Sequence, residues 1–159
     1  MTVSRRDADL AFLREARVGR LATVDAQGFP SVVPFCFALI NTPEPVIVSV
    51  LDEKPKQVPD SELARIRNIL RHPEVGFVVD DYNEDWSKLV FVQAKGIARL
   101  VGANDPLHVR ALDALRAKYP QYRVMDLAYR PVVVIETLRL HSWRGDEQQI
   151  DQPPTSAIN

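Results

Sequence analysis

Hydrophobic and polar positions follow two different periods along this chain, and the switches between them mark its elements. The opening stretch sets Leu10 and Leu13, with Phe12 beside them, on one side of a 3.6-residue repeat. Ser4 and Asp7 stand at the capping-box spacing, so the pattern predicts a helix from about Ser4 to Ala16. "VGRLATVD" and "FPSVVPFCFALI" are β-rich runs joined by "DAQG", whose Gly28 can take positive φ, and residues 18–40 are expected to form a hairpin. Proline cannot donate to a ladder. Pro30 and Pro34 therefore require the second strand to be an edge, or to turn those positions away from a neighbour and toward a ligand.

"PVIVSVL" predicts a third strand, followed by a basic link. The second half of that link, "DSELARIRNILRH", is helical, with Asp60 or Ser61 as cap and Pro73 as stop. Its spacing puts Leu63, Ile66 and Leu70 toward the core and Arg65, Arg67, Asn68 and Arg71 outward. "EVGFVVDDY" and "KLVFVQAKGIARLVG" read as a fourth and a long fifth strand across the turn "DYNEDW", with Gly96 marking a bulge or bend. "NDPLHVRALDALRAKYP" is a third helix with Asn104 or Asp105 as cap, Pro106 in its first turn, and Leu112 and Leu115 inward. "PVVVIETLRLHSW" is the last strand. Residues 1–145 thus read as one domain, and 146–159, polar and proline-bearing, as a disordered tail. Six strands in hairpin-heavy order with three peripheral helices define an α+β protein built on an antiparallel sheet, which at this size closes into a barrel to remove its edges.

Composition narrows the function. With 46% hydrophobic and 26% charged residues among 159, the chain is an ordinary globular domain. Its net charge of −1 and pI of about 6.3 argue against a nucleic-acid binder, which needs a general positive excess. No apolar run reaches the ~18 residues of a membrane span, and "MTVSRRDADLAFL" lacks the apolar core of a signal peptide, so a cytoplasmic location is expected. Cys36 is the single cysteine, which rules out an internal disulfide and a cysteine-based metal cluster within one chain. His72 and His108 share no metal-ligand spacing, and "DDYNED" lacks the EF-hand loop pattern, so no metal is expected. Glycine-rich phosphate loops, a nucleophile elbow and a Rossmann fingerprint are absent.

The basic link is where cations concentrate: Lys54, Lys56, Arg65, Arg67 and Arg71 lie between two apolar runs. "RVGRLATVDAQGFPSVVPFCFAL", the basic segment, "RIRNILRHPEVGFVVDDY" and "VQAKGIARLV", in that order, resemble the pyridoxamine 5′-phosphate oxidase-like flavin and deazaflavin oxidoreductases. Within that group, "EKPK" and "DDYNEDWSKL" resemble a branch that uses the deazaflavin coenzyme F420. The resemblance implies a six-stranded split β-barrel, a homodimer with sites at the subunit interface, and F420 as cofactor with FMN as the alternative. It also implies hydride transfer to a small conjugated acceptor. Carried onto this chain, Lys54, Lys56, Arg65 and Asn68 would contact the cofactor phosphate or tail, and Ser31, Val33 and Pro34 its ring. Charge-assisted donors of this kind suit a phosphate. The insertion "QVPDSE" leaves open which half of the link holds it. Trp86 is a candidate to wall the ring by stacking. Arg139 and His141 in "RLHSWR" are similar to the Arg-x-His pair with which pyridoxamine 5′-phosphate oxidases hold their substrate; strand alternation would put both on one face, and no role is assigned to them. A non-catalytic module for flavin or haem on the same barrel is the competing class, and no residue signature names the acceptor.

Overall fold

The computed structural model describes residues 2–51 and 60–150. Helix α1 (Arg5–Glu15) starts where expected: the Ser4 hydroxyl oxygen accepts from the Asp7 N–H at 3.1 Å and donates to the Asp7 carboxylate at 2.7 Å. Strands β1 (Gly19–Val24) and β2 (Pro30–Phe35) form the predicted hairpin. Its turn is closed by Asp25, whose carboxylate accepts from the Gln27 and Phe29 N–H groups, while Gly28 sits at φ 87°.

The long second run is two strands and not one. β2 stops at Phe35, and after Cys36 and Phe37 the chain restarts as β3 (Ala38–Asn41), which pairs with β4 (Pro45–Val50). With β5 (Glu74–Asp81), β6 (Val90–Val101) and β7 (Val132–Arg144), the strands form one antiparallel sheet in the order β2-β1-β5-β6-β7-β4-β3. The two edge strands are consecutive in the chain and joined by two residues. The sheet must therefore curl until its edges meet at Cys36–Phe37, which gives a barrel closed by the chain and split along that seam. The seven strands keep the predicted class; the count differs because the backbone turns from one edge to the other inside an unbroken apolar run.

Pro34 is in register with Arg20 although it has no N–H, so that pair is of the non-hydrogen-bonded type. By alternation Val32 and Pro30 are too, and these three residues turn their backbone toward the free edge. Prolines thus blunt the edge, as the sequence requires.

Two apolar cores result. One fills the barrel: Leu21, Phe35, Phe37, Phe77, Val92 and Ile135 meet there with Leu13 of α1 and Ile69 of α2 (Asp60–Arg71). The other lies outside the barrel wall, where Val46, Val48, Val132 and Val134 pack under Leu112 and Leu115 of α3 (Pro106–Lys118), capped by Asp105. The predicted inward face of α2 is corrected by one residue step. Ile69 is buried and Leu70 is 70% exposed, while Asn68, expected outside, is 5% exposed. A partner decides this: the Asn68 amide donates to the Thr23 hydroxyl of β1 at 3.0 Å, which makes a polar inward position acceptable. Gly96 marks the expected bulge, where the register shifts between Lys95 and Gly96 and an added Cβ would meet the Glu136 carbonyl at 2.5 Å. The domain boundary expected at Gly145 falls at the start of a 3-10 helix running through Ile150. No described helix is long and apolar enough to cross a membrane.

Candidate cofactor site

Helix α3 covers the outer face of the sheet over β3, β4, the end of β6 and the first half of β7. Among the described residues the rest of that face is bare, and the ladder registers lay it out as a grid. Arg20, Val78, Gln93 and His141 are in line across β1, β5, β6 and β7, and Asp80, Phe91 and Trp143 form the next row. On the other side of the first row, Val32, Ala22, Gly76, Lys95 and Arg139 run from β2 to β7. Side chains between these positions, such as Val92, Ala94 and Ser142, are buried in the barrel, as the pleat requires.

Two clefts adjoin on β6 and β7. The first, of about 420 Å³, is lined by Tyr82, Leu89, Val90, Phe91 and Trp143, with Asp80 and Asp81 at its rim. Phe91 and Trp143 stack with ring centroids 6.3 Å apart and planes 14° apart, so the floor is a flat aromatic surface. The second, of about 230 Å³, is lined by Gln93, Lys95, Arg139 and His141. Lys95 and Arg139 are directly opposed across the ladder, where like charges are destabilising. Among the described residues neither forms an ion pair with a carboxylate. An anionic ligand would relieve that repulsion. The two clefts together suit a planar conjugated body next to an anionic or carbonyl group.

The strand that carries this surface is held from behind. Arg5 of α1 donates to the Ser142 hydroxyl at 3.1 Å and to its carbonyl at 2.6 Å. Arg144 donates to Asp9 at 2.7 Å and to the Ser142 hydroxyl at 3.3 Å, and Asp9 is buried. Ser142 lies between His141 and Trp143, so this network fixes the segment from which both project. In the turn between β5 and β6, the Ser87 hydroxyl and N–H both bond the Asp85 carboxylate and hold it below the usual carboxylate range.

The residues proposed from sequence separate into groups. Ser31 and Val33 share the inward side of β2 with Phe35, opposite Thr23 and Leu21, whereas the Pro34 ring lies on the bare outer side. Asn68 joins the inner group through Thr23, to whose hydroxyl its amide nitrogen donates, and Arg65 is half-buried one turn earlier on the same helix. Lys54 and Lys56 lie outside the described residues. Trp86, the aromatic singled out, is 69% exposed on a 3-10 turn and lines neither cleft; the other tryptophan, Trp143, forms the aromatic floor. Arg139 and His141 do share a face and a cleft. Gln93, Lys95 and Phe91 were missed. Their signal was present as polar or half-exposed residues at every second position of two otherwise apolar runs, and it becomes legible only when those runs are paired in register.

The fold and bare face define an α+β split barrel of the flavin-binding kind. A family model described as pyridoxamine 5′-phosphate oxidase matches residues 6–144, and the chain belongs to that family. No curated protein matches the chain. Among solved structures, a conserved hypothetical protein from Mycobacterium tuberculosis is similar over 100% of this chain and 94% of its own, with 22% identity and a TM-score of 0.69. A FAD-binding protein from Mesorhizobium loti is similar over 89% and 95%, with 19% identity and a TM-score of 0.62. An F420 reductase is similar over 82% and 94%, with 20% identity and a TM-score of 0.55. The haem storage protein of Vibrio cholerae shares the fold over 84% and 89%, with 15% identity and a TM-score of 0.63.

Proposed function

We propose that this protein is an oxidoreductase that holds a deazaflavin, F420, or alternatively FMN, on the bare face and passes hydride to a small conjugated acceptor. The observation that carries the reading is the pair of adjoining clefts, one aromatic and one cationic without a described carboxylate, on a sheet face that α3 leaves uncovered. The bound cofactor supplies the hydride. Lys95 and Arg139 would hold an anionic group, Gln93 and His141 would orient polar edges by hydrogen bonds, and Phe91 with Trp143 would exclude water from one side of a planar ring. No proton-transfer group is needed for these roles.

The reading includes a second copy. Both clefts open on a sheet face that α3 leaves uncovered, so a copy related by a twofold axis and seated on that face would wall them. Sedimentation should give a dimer; monomer alone at micromolar concentration overturns this part.

The test of the site is a titration of F420, FMN, FAD and haem against the purified protein, followed by absorbance and fluorescence, and repeated with Lys95→Ala/Arg139→Ala. Removal of two charge-assisted contacts should weaken the preferred cofactor at least about tenfold. Unchanged affinity overturns the site. A tight haem complex with no affinity for either flavin type would favour the non-catalytic module instead, with His141 as the exposed imidazole available to it.

A further inference from the structure

Away from the bare face, the seam where β2 passes into β3 carries an unusual cluster. Lys118, at the end of α3, places its ammonium 4.2 Å from the Phe37 ring centroid and 5.5 Å from that of Tyr119. The Arg17 guanidinium lies over the same Tyr119 ring at 5.0 Å. The Tyr119 hydroxyl accepts from the Phe37 N–H at 3.0 Å and has the carbonyls of Arg17 and Phe37 each within 2.9 Å to donate to, so it fixes the seam and both cations around it. The lysine donates to the Leu13 carbonyl at 3.5 Å, a long hydrogen bond. No described carboxylate pairs with it.

An ammonium half stripped of water, beside a second cation and without an anion, favours its neutral form. Cation–π attraction to the two rings opposes this, yet burial first and Arg17 second win, and the lysine is drawn down to about 8, with Cys36 pulling weakly the other way. A lysine desolvated next to another cationic group is the arrangement that makes an amine a nucleophile near neutral pH.

We propose that Lys118 is the most nucleophilic of the described lysines and a site of covalent acylation by small activated acyl donors such as thioesters. In the step, the amine lone pair forms a bond to the acyl carbon, the carbon–sulfur bond breaks, the thiolate leaves with its electron pair, and the amine proton passes to it or to water. The product amide is neutral, so acylation removes one of two like charges at the seam.

The probe is a small neutral acetyl thioester, limiting in amount, incubated with the full chain across pH 6.5 to 10.5 and read by mass spectrometry of peptides. Lys88, exposed and paired with Asp85, is the internal reference. Each pKa unit is about tenfold in neutral fraction, and lower intrinsic basicity takes back part of the gain, so Lys118 should exceed Lys88 at pH 7 by at least about tenfold. Its rate should level off above pH about 8. In Arg17→Met the plateau should move to higher pH, and in urea-unfolded protein the two lysines should react alike. Labelling of Lys118 no faster than Lys88, or a preference that survives unfolding, overturns the proposal.

Discussion

Asn68 separates a ligand contact from a structural one. Its amide donates to the Thr23 hydroxyl at 3.0 Å, with the two residues 5% and 3% exposed, and the bond ties α2 to β1 at the mouth of the barrel. Asn68→Ala removes one partner of a buried pair and should cost about 1–3 kcal/mol. Thr23→Val strands the amide N–H in an apolar interior and should cost a similar amount. The double variant Thr23→Val/Asn68→Leu leaves no polar group unpaired, so its loss should fall below the sum of the single losses by about 1 kcal/mol or more. Urea unfolding at fixed protein concentration reads this directly: with an m-value of roughly 1–3 kcal/mol per molar, a 2 kcal/mol loss moves the midpoint by about 1 M. Cofactor affinity of Asn68→Ala, measured under conditions where it is folded, should match the parent. Strict additivity of the three variants would show that the bond contributes nothing. An unchanged midpoint with a tenfold loss of cofactor affinity would return Asn68 to the phosphate role that the resemblance implied.

Lys118 gives a pH dependence whose sign follows from its lowered folded-state value of about 8 against 10.5. Between those values the unfolded chain binds more protons, so this group's penalty is fully present below pH 8 and is relieved as pH rises to 10.5. Lys118→Met should therefore raise the urea midpoint at pH 7 and lose that advantage by pH 10; an equal shift at both would sink the argument. Asp9→Asn leaves the Arg144 guanidinium, 2.7 Å away and mostly buried, without its counter-charge, and should cost roughly 3 kcal/mol and alter the near-ultraviolet dichroism of Trp143; a silent spectrum would disconnect the network from the aromatic floor. Gly96→Ala sets a methyl 2.5 Å from the Glu136 carbonyl and 2.8 Å from the Ile135 side chain, so a loss of about 1–3 kcal/mol is expected in thermal unfolding, and an unchanged midpoint would mean the bulge yields freely.

Local chemistry made much of the fold legible. Ser4, Gly28, Pro106 and Gly96 act on the backbone within a few residues, and each appears where its chemistry placed it. The apolar runs gave the strands for the same reason, since alternation is a property of the pleat and needs no partner to be read. What failed were choices made by distant partners. Nothing within α2 distinguishes an inward Asn68 from an outward one; Thr23, 45 positions earlier, supplies the acceptor that turns the helix by one step and exposes Leu70. Nothing within "FPSVVPFCFALI" marks Cys36–Phe37 as the seam, because Tyr119 holds the Phe37 backbone there from 82 positions away.

The candidate site divides in the same way. By itself the sequence determined the family's barrel, the proline-blunted edge strand and the Arg139/His141 alternation, all set by residue type and short spacing. Only the tertiary structure decided which side chains share the bare face. Pairing β6 with β7 sets Lys95 against Arg139, Gln93 against His141 and Phe91 against Trp143, residues more than 40 positions apart. Register fixes such neighbours, and register is decided by the burial of Val92, Ala94 and Ser142 on the opposite face: a slip of one residue would turn all of these positions over, and the core would not allow it.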